Sequence, residues 1–294
     1  MTEPLRVAVC RGHIIESIHQ VHAVAVQDGS VVAEAGDTTL LTSLRSSAKP
    51  FQALPLARSL PMLEDRELAI ACASHRAEPE QIEAVWRLLE KTGATPGELE
   101  CGTQDGRPPE PLYHNCSGKH AGMLAVCRAE GWPTEGYRLP EHPLQQLLMG
   151  VMADAARIET GELATATDGC GVVCYAVPLE RVALAFSRLG QLDGGGRIVA
   201  AMRAHPELIG GEGSTDTLIM EALDGWIAKG GAEGLMCAAG NGIGVAVKIA
   251  DGNSRALRPA LAKFMGGLDL ELPTFEEVPI RNSREEVVGE IAPT

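Results

Sequence analysis

Ser46 and Lys49 stand three residues apart in LRSSAKPFQALPLARSL, residues 44–60, with Pro50 directly behind the lysine. Proline is tolerated in a helix only in its first turn, because further in it removes a hydrogen bond and clashes with the preceding turn. Beyond it, Leu54, Leu56, Ala57 and Leu60 line one face at helical spacing. The spacing predicts a helix that has just begun at Pro50, with Ser46 and Lys49 on one face of its N-terminal end. Two chemistries fit. One is a serine cap beside a solvated lysine. The other is a serine nucleophile activated by a neutral lysine, with helix-start amides and the helix dipole to hold an oxyanion. The second needs burial or a neighbouring cation such as Arg45 to lower the lysine from its usual pKa of about 10.4.

Three more stretches carry reactive side chains. In IACASHRAEPE, residues 70–80, a small and apolar run ends in Ser74-His75. It reads as a buried strand emerging into a cleft, or as a plain strand end before a helix started by Pro79. In GIGVAVKIADG, residues 242–252, alternation sets Gly244, Ala246 and Lys248 on one strand face and Val245, Val247 and Ile249 on the other. A lysine there faces either water or a ligand, and the two small residues leave room for the latter. In YHNCSGKHAGML, residues 113–124, Asn115 or Ser117 is placed to cap an apolar helix. Cys116 and Lys119 share its first turn, while TDGCGVVCY adds Asp168, Cys170 and Cys174. This is no zinc-finger spacing, and spacing alone does not indicate a metal. Cys10, Cys72, Cys127 and Cys237 lie in apolar runs and read as small core residues.

The elements that position these groups are set by pattern. RVAVCRGHIIESIHQVHAVAVQDGSVVAEAGD alternates and turns at Asp28-Gly29, so two or three antiparallel strands open the chain. From Phe51 to about Met149 apolar residues recur at helical spacing, and Gly closes several of the segments. GLMCAAGNGIGVAVKIADG reads as two strands around a Gly-rich turn, and VPIRNSREEVVGEIAP as a last hairpin. The expected fold class is therefore mixed α/β (α+β), in one domain spanning 1–294. A mostly antiparallel sheet built from both termini (about 1–45 and 200–294) is flanked by helices and a helical lobe (about 50–200).

Composition bounds the partners. Of 294 residues, 45% are hydrophobic, ample for a sizeable core. A net charge of −14 and 3% aromatics argue against nucleic acid and anionic membrane. No apolar run approaches the ~20 residues that span a bilayer, and MTEPLRVAVCRG lacks a signal-peptide layout. With eight cysteines read as thiols or ligands, the expected location is cytoplasmic.

Taken together, the segments resemble the serine–lysine L-asparaginases, the rhizobial-type or asparaginase II family. The matching residues run through nearly the whole chain: ESIH (16–19), RSSAKPFQALPL (45–56), CASH with EP (72–79), HNCSGKHAGML (114–124), DGCG (168–171), HPELIGGEG (205–213), GAEGLM (231–236) and GIGVAVKIADG (242–252). The block around HNCSGKHAGM with an upstream RSSxKP is the most specific. The resemblance implies a fold similar to β-lactamases, penicillin-binding proteins and serine glutaminases. It implies two Ser–Lys pairs in one pocket, Ser46 with Lys49 and Ser74 with Lys248, and zinc on Cys116, Lys119 and Cys170. It implies a homodimer and hydrolysis of L-asparagine to L-aspartate and ammonia through an acyl-enzyme. Arg45 would meet the substrate carboxylate and Asp168 its amine, with His120 lining the pocket. A glutaminase, a β-lactam-type hydrolase and a non-catalytic amino-acid sensor are the alternatives. Two departures from the family pattern bear on the cleft: Arg76-Ala77 replaces a small pair after SH, and Thr103-Gln104 replaces a histidine shortly after CG.

Overall fold

The computed structural model describes residues 2–294. Among the described residues eleven strands form: β1 Leu5–Arg11, β2 Ile14–Gln27, β3 Ser30–Ala35, β4 Leu41–Ser43, β5 Ala164–Thr167, β6 Val173–Pro178, β7 Ile227–Gly230, β8 Leu235–Gly240, β9 Ile243–Ile249, β10 Val278–Arg281 and β11 Val287–Pro293. The main sheet is ordered β10-β11-β1-β2-β9-β8-β7, with β3 added to the far end of β2, and every pairing is antiparallel. Both chain termini thus contribute strands, because β11 lies against β1. The expected turns close the hairpins: Asp28-Gly29 and Asn241-Gly242 both have positive φ at their two positions, as a two-residue hairpin requires.

Helices Leu179–Arg188 and Leu257–Gly266 pack on this sheet. The first comes so close that a Cβ on Gly244 would meet Ala183 O at 2.1 Å, which is why β9 has glycine there. The helical part is built on Asp65–Cys72, Pro79–Lys91, Ser117–Glu130, Pro143–Ala156 and Gly195–Ala204. Gly118 lets Ser117–Glu130 lie against Ile70, whose carbonyl would be 2.1 Å from an added Cβ. A small sheet is ordered β4-β6-β5, and its strands β5 and β6 lie within the stretch expected to be helical. Among the described residues no helix is long and apolar enough to cross a membrane.

One local expectation is overturned. Residues 70–72 end a helix, not a strand. Glu64 and Glu67 form a reciprocal capping box, and Leu68 through Cys72 are all buried. A helix turn buried on every side shows no polar stripe, so its sequence looks like a buried strand.

Candidate active site

Ser46 lies in the 3-10 turn Arg45–Ala48, which runs directly into the α-helical turn Lys49–Gln52 carrying Pro50. Helical structure begins one turn ahead of the proline, and Pro50 occupies the first α turn as its geometry demands. Arg45, just before Ser46, is held left-handed at φ 47°, a strained conformation for a side chain of its size. The turn packs on β7 and β8 at the edge of the main sheet.

Between them lies a cavity of about 320 Å³, lined on one side by Ser46, Ser74 and Asn115 and on the other by Asp216, Lys229, Gly231 and Ala232. A larger hollow of about 650 Å³ beside the last helix holds one lysine and three glutamates but no serine or cysteine.

Lys49 is 0% exposed. Its Nζ lies 2.6 Å from Ala73 O, 3.5 Å from Asn115 O and 2.9 Å from Ser74 Oγ. The two carbonyls can only accept, so they take two N–H bonds, and in the neutral amine the remaining lone pair is left for the Ser74 hydroxyl proton. Burial lowers the Lys49 pKa, the Cys116 thiolate works against this, and the charges of Lys229 and Lys119 add to the lowering. The net effect shifts the balance toward the neutral amine. Among the described residues Ser46 Oγ has no hydrogen-bond partner, and the N–H groups of Ser46 and Ala232 have no acceptor.

Lys248, expected beside Ser74, lies elsewhere. Its Nζ donates to Glu233 O at 2.7 Å and Ile249 O at 2.6 Å, and it does not line the cavity. The lysine found there is Lys229, 1% exposed on β7, donating to Asp216 Oδ1 at 3.2 Å and to Gly230 O at 3.0 Å. Burial pushes the Asp216 carboxyl up, but the Lys229 charge and the Gly230 N–H at 2.6 Å outweigh it and hold it ionised. Sequence reasoning passed over Lys229. The available signal was WIAKGG, a lysine closing a short apolar strand ahead of paired glycines, which has the Lys-x-Gly spacing of serine acyl-transfer sites.

Arg45 and Asp168, predicted to meet opposite ends of a substrate, are paired with each other through Arg45 Nε and Asp168 Oδ1 at 2.6 Å. That leaves the terminal guanidinium nitrogens and Asp168 Oδ2 without side-chain partners. His120 is buried away from the cavity: Nδ1 meets the Tyr137 hydroxyl at 2.7 Å, and Nε2 has no partner among the described residues. Of the two departures, Gln104 Oε1 accepts the N–H of cavity-lining Asn115 at 2.9 Å, and Arg76 bonds Glu212 O outside the cavity.

Cys116, Lys119 and Cys170 do come together. Lys119 Nζ is 2.9 Å from Cys170 Sγ, and the Cys170 thiol hydrogen-bonds Cys116. That hydrogen bond, against the opposing cost of burial and with the help of Lys49 and Lys119, drops the Cys116 pKa well below the usual thiol value. Cys170 is pushed up by the same bond and by burial. Cys116 opens its helix without a side-chain cap, so neither Asn115 nor Ser117 fills that role. Ser117 instead meets His75 Nε2 at 2.8 Å. Among the described residues no group of three or more His, Cys, Asp and Glu forms a metal cage, so any metal here needs the lysine as a donor. The donors fit a soft divalent ion: two sulfurs, one of them a thiol shifted toward its thiolate, and an amine that can bind after losing its proton.

The chain is similar to the crystal structure of Mglu in its native form in 4.3 M NaCl, at 16% identity and a TM-score of 0.50, over 86% of this chain and 62% of Mglu. A second Mglu structure gives 14% identity and a TM-score of 0.49, over 86% of this chain and 68% of that one. A putative beta-lactamase from Bacteroides dorei DSM 17855 gives 12% and 0.43, over 84% and 93%. The chain thus spans about 62% of the length of the first Mglu structure, and the likeness confirms the expected class of antiparallel sheet flanked by helices. No curated protein matches. The model of L-asparaginase II matches residues 7–293, nearly the whole chain, and the chain therefore belongs to the L-asparaginase II family.

Proposed function

We propose that this protein hydrolyses the side-chain amide of L-asparagine to L-aspartate and ammonia through a serine-bound acyl-enzyme. Family membership supports the reaction, and the observation that carries the mechanism is the buried Lys49 amine hydrogen-bonded to Ser74 in a cavity that also holds Ser46. Ser46 is the nucleophile. Its proton leaves through the Ser74 hydroxyl to neutral Lys49, and its oxygen bonds the amide carbon. The developing oxyanion is met by the free N–H groups of Ser46 and Ala232. The C–N bond breaks as the proton returns to the departing nitrogen, and water then hydrolyses the ester.

Lys229 stands in the cavity where Lys248 was expected, with a different part to play. Hydrogen-bonded to Asp216, it adds to the lowering of the Lys49 pKa and orders the β7 edge of the cavity. The terminal nitrogens of Arg45 are assigned to the substrate carboxylate, since a guanidinium matches it bidentately. Asp168 Oδ2 is assigned to the substrate amine. A specific observation favours a second reading within the same reaction: Ser74, not Ser46, touches Lys49 and could itself attack. The pocket does not separate asparagine from glutamine, because one methylene is typically worth only about 1–3 kcal/mol.

Cys116, Lys119 and Cys170 are assigned to a zinc ion. When bound, it would fix the wall of the cavity and supply positive charge for positioning substrate. A homodimer and a cytoplasmic site of action belong to the same reading, the latter supported by eight free thiols.

The test is ammonia release from L-asparagine and L-glutamine by the protein, Ser46→Ala and Ser74→Ala, with mass spectrometry of the acylated peptide. Acylation at Ser46 and its loss in Ser46→Ala bear out the proposal. Acylation at Ser74 selects the second reading. A folded protein that releases ammonia from neither amide sinks the hydrolase assignment. Zinc content and light scattering check the metal and the dimer.

A further inference from the structure

Lys248 touches a loop that borders the oxyanion position of the amidohydrolase reaction. After Lys229 and Gly230, the chain leaves β7 and turns through 231–234 before entering β8. This turn brings Ala232, with its unsatisfied N–H, to the cavity. Its conformation is not one that L side chains adopt freely: Glu233 sits at φ 57° and Gly234 at φ 67°. Such a turn persists only where its surroundings hold it.

Four contacts do so. Lys248 Nζ donates to Glu233 O at 2.7 Å, one residue past Ala232. Ile249 N–H donates to Gly234 O at 2.8 Å, and Gly231 N–H to Leu235 O at 2.9 Å. On the other side, Gly231 abuts Leu44 O so closely that a Cβ would stand 2.6 Å from it. Leu44 immediately precedes the turn that carries Arg45 and Ser46. Lys248 and Leu44 thus clamp the turn from opposite sides, and the spacing between the Ser46 and Ala232 N–H groups depends on both. Of these contacts only the Lys248 bond is made by a charged side chain, whose second bond, to Ile249 O at 2.6 Å, ties it to β9. Asp251 and Glu233 supply compensating negative charge, while burial lowers the lysine's pKa.

We propose that Lys248 is a positioning residue: its ammonium anchors the 231–234 turn to β9 and thereby sets the Ala232 N–H for the oxyanion. The inference rests on the amidohydrolase reading. It differs from a direct proton-transfer role for Lys248 in what it predicts for pH.

Lys248→Met keeps the length of the side chain and removes the donor, and Lys248→Arg keeps the charge. Both are measured with wild type for kcat and KM on L-asparagine across pH, and for amide hydrogen exchange in the 230–235 peptide. The expected result for Lys248→Met is a kcat lower by about ten- to a hundredfold, the size expected for a misplaced oxyanion donor. KM should stay within about threefold, the pH profile should keep its inflections, and exchange in the peptide should quicken. Lys248→Arg should restore most of the rate. An unchanged kcat with unchanged exchange overturns the proposal, as does the loss of a pH inflection, which would make Lys248 itself a proton carrier. If wild type releases no ammonia, the functional reading fails, and the exchange measurement still decides whether Lys248 anchors the turn.

Discussion

A buried lysine nitrogen whose partners are two carbonyls and one serine hydroxyl is pushed toward its neutral form, and that push has a cost that can be measured. Folding strips Lys49 of water, so its folded pKa falls below the value of about 10.4 in the unfolded chain. Between those two values the unfolded state binds more protons than the folded one. Stability therefore rises with pH across that window, and below it the full penalty is felt. Lys49→Met should remove this dependence and give a protein at least as stable at neutral pH. Its turnover should fall by about 10²–10⁴-fold, the usual worth of a general base. Thermal melts from pH 6 to 10 beside ammonia assays check both halves. A stable variant with undiminished activity would remove Lys49 from the mechanism. Lys229→Met, by contrast, leaves Asp216 ionised without its partner in a buried setting. It should cost stability as well as rate, about 3–5 kcal/mol for a broken buried pair, which denaturant titration reads directly.

At the scale of elements, His75 joins the helix Asp65–Cys72 to the helix Ser117–Glu130. Its Nδ1 accepts the Ala77 N–H, so the proton sits on Nε2 and goes to Ser117 Oγ. Burial, with the nearby charge of Arg107, lowers its pKa from 6.5 to about 3. Here too the unfolded chain holds the extra proton, so stability is complete above about pH 7 and drains away as pH falls from 6.5 toward 3. The loss at pH 5 should be about 2 kcal/mol. His75→Gln should flatten this part of the melting-temperature profile; an equally steep profile would show that other groups cause it. Gly231 gives a second test at this scale. Gly231→Ala must displace either β7 or the Leu44 carbonyl by several tenths of an ångström. Its kcat should fall while far-ultraviolet circular dichroism stays that of the parent.

Over the whole molecule the −14 charge is spread on a chain whose two ends share one sheet. Self-repulsion at that charge opposes the compact state, and salt screens it over about 10 Å at 0.1 M. Raising sodium chloride from about 10 mM to 0.2 M should lift the melting temperature by a degree or two, on the order of 0.5–1 kcal/mol. A fall would mean that attractive ion pairs, such as Arg45–Asp168 and Lys229–Asp216, dominate the surface repulsion.

Much of the fold and site was legible in the residues. Alternation and the Asp28-Gly29 and Asn241-Gly242 turns mark the hairpins, and Pro50 marks the helix start, because these are local steric facts. Motif order identified the family. Local pattern misjudged the end of Asp65–Cys72, since a segment buried all round shows no period. The resemblance set Lys248 beside Ser74 and passed over Lys229, the lysine that lines the cavity. Both lysines sit in small-residue strands, and a strand's pattern says which residues share a face but not which edge of the sheet meets the helical turn. Only tertiary packing set β7 at that edge and turned the nitrogen of Lys49 toward Ser74, contacts made across long stretches of chain that no local spacing encodes.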